Sequence, residues 1–171
     1  MNTLTKAELD SLDHEKLMSR AIELASNARK KGNKPFAALL ADRHGNIVLE
    51  AENTEFTEND FTRHSEINLM SAASRRFHTR ELSELVMYVS AEPCAMCAGA
   101  TFFAGVRAVV FGLSADSLAD LWAVENPKPH VLDMSCRQVF ETSATHPITV
   151  LGPIMEDEAG VPHLGYVIPD K

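Results

Sequence analysis

The chain has 171 residues, of which 45% are hydrophobic, as is usual for one globular domain with a sizeable core. Its 16 basic and 24 acidic side chains leave a formal net charge of −8, which argues against a nucleic-acid partner because phosphate contacts need a basic surface. Three cysteines do not make a disulfide framework, and neither a signal peptide nor a membrane-spanning run is visible, so we predict a cytoplasmic protein.

The N-terminal part of the sequence predicts a helix followed by a β-hairpin. Residues 1–5 are expected to be frayed. Residues 35–41 and 47–51 are expected to be two strands joined by a polar turn that contains a glycine. Residues 10–31 predict a long amphipathic helix that ends at a glycine, because apolar residues recur there at helical spacing: Leu12, Leu17, Ala21, Leu24 and Ala28.

The middle of the sequence predicts a strand between two helices. Residues 53–62 are polar and without periodicity, so we expect a loop that leads into a helix over residues 63–77. Residues 85–90 form a run without polar alternation, which is typical of a central strand covered on both faces. A helix with two cysteines follows at once, and the next strand, residues 106–112, is expected to run parallel to the first.

The C-terminal part predicts two more helices and a last strand. Residues 114–122 and 134–142 are expected to be helical, and residues 125–130 between them a loop, because two prolines two positions apart do not continue a helix. Residues 148–151 read as a short strand. The tail from residue 156 is expected to be either disordered or a lid over the functional site.

Two short motifs point to a catalytic zinc site. A histidine and a glutamate stand two positions apart, at His64 and Glu66, and Cys94 and Cys97 form a Cys-x-x-Cys pair after Glu-Pro. A catalytic zinc typically has three nitrogen or sulfur ligands from the protein and an open fourth position. Cysteines three apart share one face of a helix, and the positive end of that helix stabilises thiolates. We therefore predict His64, Cys94 and Cys97 as zinc ligands and Glu66 as the catalytic base.

Each motif alone would be weak. A lone Cys-x-x-Cys also fits a redox pair or half of a structural zinc site. A structural zinc needs a fourth donor, and the remaining thiol, Cys136, stands far away in another segment. Together and in this order, the two motifs form the signature of zinc deaminases.

On these motifs the chain resembles the cytidine deaminase-like superfamily, within it the branch of guanine, cytosine and tRNA adenosine deaminases, and among these most of all guanine deaminase. The resemblance covers about residues 17–154. It implies a single domain over residues 1–171, an α/β fold built as a three-layer α/β/α sandwich with a five-stranded mixed sheet, zinc as the cofactor, and a homodimer. Ser65 and Ala95 stand where the branch most often has alanine and proline, but both are small, so the geometry of the site should be retained.

The chemistry that this site implies is hydrolytic deamination. Zinc lowers the pKa of its bound water to about 7, which makes hydroxide available near neutral pH. The hydroxide attacks a ring carbon that carries an exocyclic amine, and Glu66 carries protons from the water to the ring nitrogen and to the leaving amine. The products are a carbonyl group and ammonia.

The resemblance also implies residues that hold the substrate. Asn53, eleven residues before His64, matches an asparagine that hydrogen-bonds the base, although a loop-capping role is the alternative. Phe36 and Phe103 match aromatic residues that pack on the ring, with a core position as the alternative for both. At the reacting end of the substrate, contacts are expected from the backbone N–H of Ser65 and the carbonyl of Ser90.

Two further residues bear on the choice of base. Glu125 stands 28 positions after Cys97, where guanine deaminases of this fold carry an acidic residue that recognises the N–H edge of the purine. A solvated glutamate is the alternative. Tyr166 matches an aromatic residue that closes over the base in guanine deaminases.

Three functions follow, in order of preference. The first is a zinc hydrolase that converts guanine, a small-molecule nucleobase, to xanthine and ammonia. The second is another deaminase of the branch, acting on cytosine or on tRNA adenosine. Its tRNA form would need a basic surface, and the cluster of Arg75, Arg76 and Arg80 is the nearest approach to one. The third is a non-catalytic binding protein on the same fold.

Overall fold

The structure is a computed structural model that describes residues 4–123, 125–126 and 132–169. One five-stranded mixed sheet lies between two layers of helices. The strands are β1 Ala37–Ala41, β2 Ile47–Glu52, β3 Val86–Ala91, β4 Ala108–Leu113 and β5 Thr149–Leu151. The helices in the described ranges are α1 Lys6–Asp10, α2 His14–Lys30, α3 Ser65–Arg76, α4 Thr79–Leu82, α5 Ala95–Ala104, α6 Ala115–Trp122, α7 Cys136–Glu141 and α8 Glu156–Gly160, with a short 3₁₀-helix at Val161–His163.

The sheet has the order β2-β1-β3-β4-β5. β1 pairs antiparallel with both β2 and β3, whereas β3, β4 and β5 run parallel to one another. The predicted hairpin and the predicted parallel pair are therefore both present. Because β3 and β4 are parallel, the chain leaves both strands at the same edge of the sheet, which is where α/β sheets usually carry ligands.

The central strands are buried on both faces, as their lack of polar alternation predicted. Val86 and Tyr88 of β3 pack with α1 and α2 on one face, while Met87 and Val89 pack with α3, α5 and α7 on the other. All residues of β1, β3 and β4 are buried. This arrangement confirms the predicted α/β architecture, with a five-stranded mixed sheet as its middle layer.

The single long helix predicted at residues 10–31 is wrong in its first turn. The chain forms α1, stops at Ser11, and begins α2 after Asp13, whose carboxylate accepts a hydrogen bond from Lys16 N at 3.0 Å. The predicted fraying also fails at Thr5, which forms a capping box with Glu8, while residues 1–3 lie outside the described ranges. Side chains that cap helix N-termini thus divide this segment into two helices, although its amphipathic pattern is continuous.

The C-terminal tail is ordered to residue 169, so the disordered alternative is wrong. It forms α8 and the 3₁₀-helix, which pack against α2 and α6. Gly112 allows α8 to approach β4 closely, because a Cβ on this glycine would lie 2.8 Å from Ala159 Cβ and 2.7 Å from Ser90 O. The tail therefore lies at the edge where β3 and β4 end.

Two contacts fix this C-terminal segment. The Arg29 guanidinium donates hydrogen bonds to the carbonyls of Pro162 and Leu164, both at 2.8 Å. The Asn126 side chain donates to Tyr166 O at 2.8 Å and accepts from Ile168 N at 2.7 Å. The segment is thus tied both to the end of α2 and to the turn after α6.

Two remaining expectations concern the loop after α6 and the membrane. Of the loop predicted at residues 125–130, residues 127–130 lie outside the described ranges. Within those ranges, no helix combines the length and the apolar character that crossing a membrane requires.

Candidate functional site

The two motifs meet at the N-termini of two packed helices. Cys94 is the N-cap of α5, which begins directly after β3, and His64 is the N-cap of α3. Glu92 holds the strand end in place: its N–H donates to Leu113 O at 2.7 Å, and its carboxylate accepts from Cys136 N at 3.2 Å. The sheet edge and the two helix starts therefore position the histidine and the cysteines together.

The donor atoms have the spacing that a tetrahedral zinc requires. His64 Nδ1 lies 3.7 Å from Cys94 Sγ and 3.5 Å from Cys97 Sγ, and the three donor atoms all lie within 4.8 Å of one another. Tetrahedral bonds of about 2.0–2.1 Å to nitrogen and 2.3 Å to sulfur place these atoms about 3.6 Å apart. The three side chains form a possible metal-binding site, and a zinc ion fits the donor set.

The three donor side chains are joined by hydrogen bonds that shift their pKa values in different directions. A hydrogen bond with Cys97 and another with His64 lower the pKa of Cys94 to about 4, whereas the pKa of Cys97 is raised by the same pair and by burial. The hydrogen bond to Cys94 raises the pKa of His64. A metal ion that binds these donors would release their protons.

Glu66 lies beside this cluster in the first turn of α3. Its side chain is buried, and Ser65 Oγ donates a hydrogen bond to Glu66 Oε2 at 2.8 Å. Burial raises the pKa of Glu66, and the negative charge of Cys94 raises it further. A carboxyl group with a raised pKa is suited to accept and return protons.

Asn53 lies where the β-hairpin ends, and its side-chain amide is only partly hydrogen-bonded. It is fully buried, its backbone N–H donates to Phe36 O at 2.9 Å, and its Oδ1 accepts from Glu55 N at 3.1 Å. Asn53 Nδ2 has no hydrogen-bond partner among the described residues. A buried N–H donor without a partner is rare in native proteins and is explained when a ligand supplies the acceptor.

Aromatic side chains surround Phe36, and two of them were missed by the sequence analysis. The ring of Phe36 lies 5.5 Å from Trp122 and 5.0 Å from His163, and Trp122 lies 5.7 Å from Tyr166. We call Phe36, Trp122, His163 and Tyr166 the aromatic cluster. Trp122 and His163 belong to no motif, and only the folding of the C-terminal segment onto α6 brings them to Phe36.

Glu55 was also missed. It is buried, and its Oε2 lies 2.8 Å from Lys34 Nζ and 4.0 Å from His64 Nε2. The ion pair with Lys34 explains how this carboxylate is tolerated in the interior. No sequence pattern singles out Glu55, because it lies in a polar loop rather than in a periodic element.

The structure does not bring all of the predicted substrate residues together. Phe103 is 84% exposed on α5, where its ring contacts Phe102. Glu125 is exposed in the turn after α6. The Ser90 hydroxyl accepts from Ala37 N at 3.1 Å, so this group serves the sheet. Contacts of Phe103, Glu125 and the Ser90 carbonyl with a substrate remain predictions.

Comparison with known sequences finds several deaminases among the relatives. Residues 11–113 match the family model described as the cytidine and deoxycytidylate deaminase zinc-binding region. A probable cytosine deaminase of Schizosaccharomyces pombe is 36% identical over 149 residues, which cover 87% of this chain and 89% of the relative. A tRNA-specific adenosine deaminase of Bacillus subtilis is 31% identical over 146 residues, which cover 85% of this chain and 83% of the relative.

Solved structures share the fold. A guanine deaminase from Nitrosomonas europaea matches with a TM-score of 0.70 at 23% identity, over 95% of this chain and 85% of the other. The guanine deaminase from Bacillus subtilis matches with a TM-score of 0.58 at 30% identity, over 68% of this chain and 78% of the other. The five-stranded mixed sheet is thus the sheet of cytidine deaminase-like enzymes.

Proposed function

The chain belongs to the cytidine and deoxycytidylate deaminase zinc-binding family, and from this membership we propose that it deaminates a free nucleobase, with guanine, converted to xanthine and ammonia, as its preferred substrate. The observation that carries the proposal is the convergence of three metal donors beside the buried Glu66. The convergence of these groups also disfavours a non-catalytic binding protein, which would need neither the carboxyl group nor the open cluster.

His64, Cys94 and Cys97 would hold the zinc ion. When bound, zinc supplies an activated water at about neutral pH. Glu66 would accept a proton and return it to the ring nitrogen and the leaving amine, for which its raised pKa is suited. His64 and the two cysteines would supply three donors, the number that a catalytic zinc takes from the protein.

The remaining residues of the site orient the base. Asn53 Nδ2 donates a hydrogen bond to an acceptor on the ring, since it has no other partner among the described residues. Phe36 and Tyr166 pack against the flat faces of the base, where aromatic rings stack favourably. The Ser65 backbone N–H, at the start of α3, faces the reacting end as the resemblance implies.

A free base is favoured over tRNA by charge. The net charge of −8 gives little attraction for a polyanion, although the relatives include a tRNA-specific adenosine deaminase. Guanine is placed before cytosine because the guanine deaminase from Bacillus subtilis shares the fold at 30% identity. Cytosine is the second candidate, because the relative from Schizosaccharomyces pombe is a probable cytosine deaminase that aligns with most of this chain.

The predicted homodimer would explain why Phe103 is exposed in the single chain. Met96 and Phe103 lie seven positions apart on α5, hence on one face, and are 39% and 84% exposed. A second copy of the chain packed on this face would cover both side chains. Phe103 would then act through the dimer rather than within the pocket of its own chain.

Ammonia release from a panel of substrates tests the proposed function. Zinc-loaded protein is mixed with guanine, cytosine, adenine, guanosine, cytidine and a tRNA anticodon stem-loop, and kcat/KM is measured for each. We expect guanine to exceed every other substrate by about tenfold or more, the discrimination that a few lost contacts provide. Turnover of cytosine alone would reject guanine as the substrate, and turnover of the stem-loop alone would reject a free base.

A further inference from the structure

Several buried polar atoms around the aromatic cluster have no hydrogen-bond partner among the described residues. They are Asn53 Nδ2, Trp122 Nε1, both ring nitrogens of His163, and the Tyr166 hydroxyl. Buried polar groups in native proteins are nearly always paired, and unpaired ones call for an explanation such as a ligand. Because these atoms lie in one part of the structure, a single bound ligand would explain several of them.

His163 is the most extreme member of this group. Its side chain is fully buried, and both of its ring nitrogens are unpartnered. Its ring lies 5.0 Å from Phe36 and 5.7 Å from Trp122. Phe36 in turn accepts the backbone hydrogen bond of Asn53, so the imidazole belongs to the same cluster as the residues proposed to hold the base.

The imidazole of His163 is neutral near pH 7. Burial lowers its pKa to about 4, and the charge of Arg29 acts in the same direction. A neutral imidazole offers one N–H donor and one nitrogen acceptor. A nucleobase edge likewise presents donors and acceptors side by side, so the ring can pair with such an edge without any charged group.

The backbone holds this ring in a defined place. The 3₁₀-helix that ends at His163 packs against α2, α6 and α8, whereas the metal donors come from α3 and α5. Arg29 binds the carbonyls on both sides of His163, those of Pro162 and Leu164. A side chain fixed in this way is prepared for a ligand and loses little entropy when the ligand binds.

We infer that His163 is a specificity-determining residue, which hydrogen-bonds an edge of the bound base. The inference rests on the proposed function, because it assumes that the site binds a base. If His163 served only the packing of the C-terminal segment, at least one of its ring nitrogens would be expected to have a partner within the protein.

Replacing His163 by phenylalanine tests the inference, because phenylalanine fills the space without either nitrogen. We expect KM for the base that wild-type protein turns over best to rise by about 10- to 100-fold, as when a buried hydrogen bond to a substrate is lost. Zinc content should stay at the wild-type value, and the Tm without substrate should be equal or higher, because unpaired polar atoms have been removed from the interior. His163→Gln, which keeps one donor and one acceptor, should recover part of the lost affinity.

The matched control is the same replacement at His14, whose Nδ1 lies 2.8 Å from Tyr88 Oη on the α2 face of the sheet. His14→Phe is expected to lower the Tm and leave KM unchanged. A KM for His163→Phe within twofold of wild type, together with a lower Tm, would overturn the inference. If the best base is cytosine, guanine as the substrate is rejected, but the comparison of KM values on cytosine still decides the role of His163.

Discussion

Replacing Glu66 with glutamine is expected to lower kcat for the best base by about 10²- to 10⁴-fold, the range attributed to one general acid–base group. Glutamine keeps the size of the side chain but neither accepts nor returns the proton of the attacking water. The expected loss is in kcat rather than in KM, because the variant leaves Asn53 and the aromatic cluster unchanged. Ammonia release under saturating substrate measures the effect.

The same variant is expected to fold and to bind zinc. Glu66 is buried, and burial disfavours its charged form, so a neutral amide at this position is tolerated. Glu23→Gln is the matched control, because Glu23 is an exposed carboxylate on α2 whose loss should leave kcat unchanged. A Glu66→Gln variant that retains kcat within a factor of a few would show that another group moves the protons.

Replacing Cys97 with serine is expected to weaken zinc binding by more than about 100-fold, since even residues that merely orient ligands change metal affinity by 10- to 100-fold. Cys97 is buried at the centre of the donor cluster, and serine is a poor ligand for zinc. Activity should fall with the metal. The increase in Tm that zinc confers on wild-type protein should be absent, because a ligand stabilises only the state that binds it.

Cys136→Ser provides the control for this experiment. Cys136 is also a buried free thiol, but it lies outside the donor cluster, beside Glu92 and at the start of α7. We expect this variant to bind zinc as wild-type protein does. Equal zinc content in the two serine variants would contradict the ligand set proposed here, and loss of zinc from the Cys136 variant alone would indicate a different site.

The sheet and the metal donors could be predicted because their signals are local. The strand over residues 85–90 is apolar throughout, and β3 Val86–Ala91 is buried throughout. The cysteines lie three positions apart directly after that strand, and α5 begins directly after Cys94. Short-range spacing of this kind is set by helix and strand geometry, so it is visible in a single sequence.

The contacts of Trp122 and His163 in the aromatic cluster could not be predicted, because they join segments that are distant in sequence. Trp122 and His163 are 41 positions apart in the sequence. They are in contact because the C-terminal segment folds back onto α6, where Arg29 and Asn126 bind its backbone. Hydrophobic periodicity in the sequence does not indicate such contacts. The same reasoning explains Glu125, whose spacing from Cys97 fitted a family pattern although the turn after α6 leaves its side chain exposed.

Zinc K-edge X-ray absorption of the zinc-loaded wild-type protein tests the central claim most directly, since that claim concerns three protein donors and an open fourth position. We predict two sulfur neighbours at about 2.3 Å and two nitrogen or oxygen neighbours at about 2.0–2.1 Å, with the scattering of a single imidazole. A third sulfur or a second imidazole would show four protein donors, and a metal closed in this way would contradict the proposed hydrolysis.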